Sequence, residues 1–259
     1  LAKAGVSIED QLGGSLKSVT DLAAATGESM TTSAGSVADA MAIFRLSGED
    51  TAQVADLTTN ALNASKIGLD EYNAGFRNLA PTRANVADSQ EEAIELLGDT
   101  GEVIAFFTAN GLKGADAGIS FARMIQNLAT PATEEYAAAI EEAGINLFDA
   151  EGNFVGAEEA IRQVNEAFEG LTDQEKIDLM DKLGIGAEAQ DVVGIISAVG
   201  DGYNEFVDDM NSGNTAAEQA EIRMSGLKGA LEGLSGTFGE IMRSMGEGLL
   251  APLEGIVRA

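Results

Sequence analysis

The sequence predicts an all-α protein, in which a bundle of short helices is followed by a long C-terminal helix of the coiled-coil type. Three observations predict this fold class. Alanine is abundant and proline is rare across the 259 residues, a composition that favours helix. Four hydroxyl residues that stand three positions before an acidic residue precede stretches of periodic apolar residues. Apolar residues recur every three or four positions. The length suits one large domain or two modest ones.

Four Ser/Thr-x-x-Asp/Glu boxes predict helix N-termini. In such a box the hydroxyl accepts a hydrogen bond from a free backbone N–H, and the acid reaches back to the N–H of the cap residue. The four pairs are Ser7 with Asp10, Ser47 with Asp50, Ser89 with Glu92, and Thr172 with Glu175. Because each pair precedes a stretch of periodic apolar residues, together they favour an all-helical chain.

Apolar spacing predicts the buried faces of four helices. The first two groups follow the i, i+3, i+4, i+7 pattern, which lines one side of a helix, and the other two groups mark further apolar faces. The groups are Val37, Ala40, Met41 and Phe44; Val54, Leu57, Ala61 and Leu62; Ile161, Val164 and Phe168; and Ile177, Leu179, Met180 and Leu183.

Glycine and proline predict several helix boundaries. Thr130 followed by Pro131 predicts a helix start, because proline is favoured at the first helical position. Three glycines predict helix ends, where a left-handed residue is common: Gly144, Gly184 and Gly200. One stretch breaks the helical pattern. Residues 146–155 carry an apolar pair on each side of a polar centre that contains glycine, and this predicts a small hairpin or extended turn.

The C-terminal fifth has a strict repeat of 3.5 residues. Ala220 opens the repeat, and the residues that follow it at alternating steps of four and three are Met224, Leu227, Leu231, Leu234, Phe238, Ile241 and Met245. This period is typical of helices that wrap around each other, so these residues are the predicted oligomerisation surface. The same stripe also fits the buried face of one helix in a globular domain. Glycines between its members lower helix propensity, and close helix contact would offset that cost.

Charge and periodicity predict three segments. They are an N-terminal helical segment over 1–87, a helical core over 88–210 and a self-associating helix over 211–259. The net charge is −28, and from residue 220 onward five acids and four bases leave −1, so about −27 falls on the first 219 residues. A chain this acidic is repelled by nucleic acid, which argues against sequence-specific nucleic acid binding. Another interpretation of the acidic composition is a high-salt habitat, where salt screens the repulsion between like charges.

The residues present argue against an enzyme. The chain has no Cys and no His, which removes thiolate nucleophiles, Ser-His-Asp triads and Cys/His zinc sites. Asp149, Glu151 and Asn153 resemble the start of a calcium loop, but Phe154 and Ala160 stand where an EF-hand needs Gly and Glu. Paired carboxylates are common, and no pair is distinguished from the rest. We therefore expect no catalytic residues, no metal and no cofactor.

Neither end of the sequence has the form of a complete protein. It opens on Leu1 rather than Met and closes on Ala259, so we interpret it as a segment of a longer polypeptide. A signal-peptide pattern is not visible, and apolar runs are shorter than the roughly 18 residues needed to span a bilayer.

Two stretches of the sequence resemble one known family. The first runs through Ala55-Asp56 and Asn63-Ala64-Ser65 to the Ala-Pro pair at 80–81. The second, over 109–118, contains Gly-Leu-Lys-Gly and precedes an Arg-bearing helix. Both are similar to the core of phage tail tape measure proteins, and the closing stretch 227–234 is similar to the family's final helix. The chain departs from the family pattern at 183–185, where Leu-Gly-Ile replaces Phe-Gly, and in the insert-like region 96–101.

The resemblance implies a structural protein of a phage tail. Such a protein lies in the lumen of the tail tube, sets tail length because tube subunits polymerise around it, and leaves when DNA is ejected. Its implied partners are further copies of itself, tail tube proteins and tail tip proteins. Threefold and sixfold symmetry in this family favours a trimer, with a hexamer as the alternative. Its implied location is the virion, in the tube lumen or tip, after assembly in the host cytoplasm.

Two other functions remain open from the sequence. One is an ejected, membrane-active module that forms a channel through its Gly-rich C-terminal helix, with host membrane contact on ejection. Glu232, Glu240 and Glu247 argue against simple insertion of that helix. The other is a helical core that flanks a cell-wall hydrolase domain outside this segment.

Overall fold

The computed structural model describes residues 14–84, 89–150, 152–228 and 230. These residues form an all-α fold, as predicted. The helices are α1 (Leu16–Thr26), α2 (Met30–Phe44), α3 (Thr51–Ser65), α4 (Leu69–Ala84), α5 (Gln90–Ala109), α6 (Gly114–Ala129), α7 (Glu134–Glu142), α8 (Ala157–Phe168), α9 (Asp173–Lys182), α10 (Ala187–Val199) and α11 (Tyr203–Asn211). A further helix, α12, is described over 216–228. Two 3₁₀ turns, Gly48–Asp50 and Gly200–Gly202, precede α3 and α11.

The predicted capping boxes begin helices where the structure describes them. The box of Thr172 and Glu175 is complete at the start of α9, and the box of Ser47 and Asp50 is complete at the 3₁₀ turn that leads into α3. Ser89 accepts the N–H of Glu92 at 3.2 Å and starts α5. The fourth box, at Ser7, lies outside the described residues. Local hydrogen bonding therefore sets these helix starts, as the spacing indicated.

Two of the glycines predicted to end helices have a left-handed backbone conformation, and one predicted helix start is wrong. Gly144 and Gly184, with φ of 72° and 69°, follow the last turns of α7 and α9. The helix predicted at Thr130 instead begins at Glu134, because Thr130 already ends α6 and Thr133 supplies the cap. The Thr133 hydroxyl accepts the N–H of Tyr136 at 3.2 Å. At Gly200 α10 also ends, but the backbone stays helical and continues into a 3₁₀ turn.

The stretch 146–155 is a small hairpin, as predicted. Phe148 and Phe154 form an antiparallel bridge, and the N–H of Val155 donates to the carbonyl of Leu147 at 3.0 Å. The Asp149 carboxylate accepts the Asn153 backbone N–H at 2.8 Å and its side-chain amide at 3.1 Å. Hydrogen bonds within the turn thus engage both carboxylate oxygens of Asp149.

One cluster of buried apolar side chains runs from Val19 in α1 to Ala216 in α12. The predicted faces of α2, α3 and α8 supply members of it, which confirms those assignments. The fourth predicted face is only partly buried. Leu183 is buried after the end of α9, whereas Ile177 within α9 is 55% exposed. The helix α9 contributes no fully buried residue, because it lies at the edge of the bundle.

A close helix crossing brings the backbones of α4 and α6 together. Gly75 of α4 faces Gly114 and Gly118 of α6, and a Cβ added at Gly118 would lie 3.0 Å from the carbonyl carbon of Gly75. The Glu71 carboxylate accepts the N–H of Gly114 at 3.1 Å, and the Asn78 amide donates to the Ala115 carbonyl at 3.3 Å. Glycine is needed here because the two backbones leave no room for a side chain.

This crossing joins helices on opposite sides of position 87. The buried cluster likewise contains residues from both flanking segments. The division of the chain at 87 and at 210 stays a prediction.

Candidate self-association surface

The helix α12 has a well-defined start. Thr215 donates its N–H to the Glu218 carboxylate at 2.9 Å, and the N–H of Glu218 returns to the Thr215 hydroxyl at 3.3 Å. This is a reciprocal capping box. It fixes the first helical residue at 216, within the segment 211–259 that the sequence assigns to a C-terminal helix.

Two polar contacts hold the beginning of α12 against the rest of the fold, which we call the body (residues 14–211 as described). Asp56 of α3 accepts the N–H of Ala216 at 2.8 Å. Arg223 donates to the carbonyl of Ala25 at 2.8 Å, at the end of α1 and beside Gly27. Each charge meets the helix end of opposite sign, an anion at the N-terminus of α12 and a cation at the C-terminus of α1. We call this pair of contacts the root clamp.

One face of α12 passes from the body into solvent. Residues four and seven positions apart lie on the same side of a helix, so Ala216, Ala220, Met224 and Leu227 share this face. Ala216 and Ala220 are 2% and 4% exposed, whereas Met224 and Leu227 are 64% and 63% exposed. The face is therefore covered by the body up to Ala220 and uncovered at Met224 and Leu227.

Two of the seven predicted oligomerisation residues are thus described, and both are exposed. The remaining five lie outside the described residues: Leu231, Leu234, Phe238, Ile241 and Met245. Ile222 is also 52% exposed, but it lies about 200° around the helix from Ala220 and so on the other side. The sequence repeat did not single out Ile222, and it serves below as a control position.

The body carries a large excess of negative charge. The whole chain has 43 acidic and 15 basic residues, so its bases cannot neutralise its acids. Arg162 forms exposed ion pairs with both Glu159 and Glu166 on α8. Hydrogen bonding from Arg162 lowers the pKa of Glu159 to about 2. Such pairs are local, and the net field around the body remains negative at neutral pH.

An apolar cleft of about 540 Å³ lies between α4, α5, α6 and the hairpin. Its floor and walls include Leu79, Leu96, Phe121 and Phe154. Arg123 at its rim pairs with Glu188 at 3.0 Å. The lining contains no carboxylate, so the cleft does not supply the paired acids that glycosidic chemistry uses.

In the described parts of the chain, no group of three or more His, Cys, Asp or Glu is arranged to hold a metal ion. Among the same residues, none of the helices combines the length and the apolar character needed to cross a membrane.

The root clamp and the capping box of α12 were not predicted. The box has a visible signal, since Thr215 and Glu218 have the same spacing as the four predicted boxes. Asp56 lies in one of the stretches that carry the family resemblance, but its contact with Ala216 joins residues 160 positions apart. No local pattern indicates such a pairing.

Comparison with known proteins identifies the class. The model of the phage-related minor tail protein family matches residues 1–184, and the chain belongs to this family. It is thus a structural protein of a phage tail and, as such, a component of the virion.

A more specific relative is a tape measure protein of Pneumococcus phage Dp-1. The two are 26% identical over 243 residues, which cover 92% of this chain and 20% of the relative. The chain therefore spans about a fifth of that protein's length. These findings confirm the resemblance to phage tail tape measure proteins, and neither name is that of an enzyme. A comparison with solved structures found no match.

Proposed function

We propose that this chain is a segment of a tape measure protein that occupies the tail tube lumen, sets tail length, templates tube assembly and leaves during DNA ejection. Family membership and the similarity to a tape measure protein support this function. The charge supports it as well. The first 219 residues carry about −27 and are repelled by DNA that shares the same narrow space, so they neither bind the genome nor retard its exit.

The proposed partners follow from the same role. The chain associates with copies of itself and contacts tail tube and tail tip proteins, without sequence-specific binding of nucleic acid. It resides in the tube lumen or tip of the virion after assembly in the host cytoplasm, and contact with the host membrane occurs on ejection. The trimer is the favoured assembly and the hexamer the alternative.

Self-association rests on one observation above the others. The apolar face of α12 becomes exposed at Met224 and Leu227, where the sequence keeps a 3.5-residue repeat that continues to Met245. Residues with this period pack as knobs into holes between parallel helices. Because the net charge from residue 220 onward is only −1, the associating helices of two copies repel each other little.

Light scattering of the 259-residue chain at low and high salt tests this association. We expect a mass three times the 26.7 kDa of the chain, or six times for the hexamer. The double variant Leu231→Asp, Phe238→Asp should be a monomer, because each Asp buries a charge in the apolar contact. The control Ile222→Asp places the same charge on the opposite side of α12, at an apolar residue that is 52% exposed, and should keep the wild-type mass. A wild-type chain that is monomeric under all conditions contradicts self-association.

Tail length in assembled phage tests the measuring role. Duplication of residues 217–244 adds four heptads without changing the repeat, and a helical insert of 28 residues adds about 42 Å. We expect tails longer by about that amount in electron micrographs. The matched control is the Asp double variant, which keeps the chain length and should leave tail length unchanged in the tails that form. Wild-type tail length in the duplication variant argues against a measuring role.

A further inference from the structure

We infer that the body sets the N-terminal limit of the self-association surface, so that contact between copies begins at Met224 and not at Ala220. This inference rests on the self-association proposed above, and its occupant is a second copy of the chain. It assigns Asp56 and Arg223 as positioning residues, which hold α12 against the body so that Ala220 stays covered. Nothing in the heptad pattern distinguishes Ala220 from the positions that follow it.

Burial supplies the first argument. Ala220 is 4% exposed in a single copy of the chain, and Ala216, one turn earlier, is 2% exposed. A side chain that its own body already covers has no surface left for a second copy. Met224, one turn later on the same face, is 64% exposed. The change from covered to uncovered therefore falls within one helical turn.

The root clamp supplies the second argument. Asp56 binds the first N–H of α12, and Arg223 binds the carbonyl of Ala25 seven residues later, so the two contacts are about 10 Å apart along the helix. Two contacts at that separation fix both the position and the direction of α12. For Ala220 to meet a second copy, both contacts and the burial of two alanines would have to be given up.

The sequence beyond the clamp identifies a second copy as the occupant. The 3.5-residue period runs without interruption from Met224 to Met245, and a regular seam of this kind suits an identical helix in parallel register. Charge separates the two parts of the chain at the same place. The acidic body repels another body, whereas the stretch after residue 220 is nearly neutral. With the root clamp intact, the body of each copy is held at the same position along the associated helices.

Disulfide cross-linking of single-cysteine variants tests the limit directly, because the 259-residue chain has no cysteine. The variants are Ala220→Cys, Met224→Cys and Leu227→Cys, with Ile222→Cys as the control on the opposite side. A disulfide needs two Cβ atoms about 3.5–4.5 Å apart, so we expect the cross-linked fraction at 220 and 222 to be about tenfold below that at 224 and 227.

The possible outcomes separate the inference from the function on which it rests. Equal cross-linking at 220 and 224, with little at 222, overturns the limit at Met224 and leaves self-association intact. Absence of cross-linking at all four positions, together with a monomeric mass by light scattering, overturns both.

The positioning residues need a readout that a general loss of stability would not give. In the Ala220→Cys chain, adding Asp56→Ala and Arg223→Ala should release the beginning of α12 from the body. Cross-linking at 220 should then rise to the level at 224. Restoring Asp56 and changing Arg223 to Lys, which keeps a cationic donor, should lower it again. A melting temperature close to that of Ala220→Cys confirms that the body is folded. If position 220 stays unreactive in the variant that lacks both clamp contacts while position 224 reacts, the root clamp is not what keeps position 220 covered.

Discussion

The glycine crossing of α4 and α6 gives a sharp prediction about stability. Changing Gly118 to Ala places a Cβ 3.0 Å from the carbonyl carbon of Gly75 and closer still to its oxygen. Backbone atoms cannot rotate away as a side chain can, so the two helices must move apart. That movement also loosens the contacts of Glu71 and Asn78 across the crossing.

The expected magnitude follows from two opposing effects. Forced overpacking costs about 1–3 kcal/mol, and a clash with backbone belongs at the upper end of that range. Alanine gains about 1 kcal/mol over glycine in a helix interior. We therefore expect Gly118→Ala to lower the free energy of unfolding by about 2 kcal/mol, and the melting temperature by about 4–8 °C for a chain of this size.

Urea and thermal unfolding followed by circular dichroism measure this effect, and Gly194→Ala is the matched control. Gly194 is also inside a helix, but a Cβ there meets nothing within 4 Å. It should stabilise the protein by about 0.5–1 kcal/mol. Equal stabilisation by both substitutions would refute the close approach of the two backbones.

Two further predictions concern single side chains. Thr172→Ala removes the cap of α9 and should cost about 1 kcal/mol in urea unfolding, while Thr172→Ser, which keeps the hydroxyl, should cost much less. The pKa of Glu159, held near 2 by Arg162, should move toward the ordinary value of about 4.3 in Arg162→Gln, as measured by NMR titration. Because the folded-state pKa lies below the unfolded value, ionised Glu159 stabilises the fold above about pH 4, and that contribution disappears as the pH falls toward 2. An unchanged pKa in Arg162→Gln would contradict the assigned cause.

Features whose causes lie within a few residues were predictable from the sequence. The boxes at Ser47 and Thr172 join atoms three residues apart, and the left-handed turns at Gly144 and Gly184 depend on one backbone position. The hairpin around Phe148 has the same local origin. In each case the residue type indicates the local geometry, because that geometry depends on the residue itself and its near neighbours.

Features that depend on distant segments were not predictable. Thr130 and Thr133 both offer a hydroxyl, and the end of α6 decides that only Thr133 caps a helix. The contact of Arg223 with Ala25 spans 198 residues, and no spacing rule reaches that far. The candidate surface was identified by its period at Met224 and Leu227, yet the burial that separates Ala220 from them required the packed body.

The root clamp also determines how α12 responds to mechanical load. Its two contacts lie in sequence along the helix, with the Arg223 contact nearer the C-terminal end and the Asp56 contact at the N-terminal end. A pull across the helix axis at the C-terminal end therefore loads them one after the other, as in unzipping, and each step opposes the force with a single contact. A pull along the helix axis strains both contacts and the packing of Ala216 and Ala220 together, and it meets greater resistance. The junction thus yields readily to a sideways pull and holds firmly against an axial one.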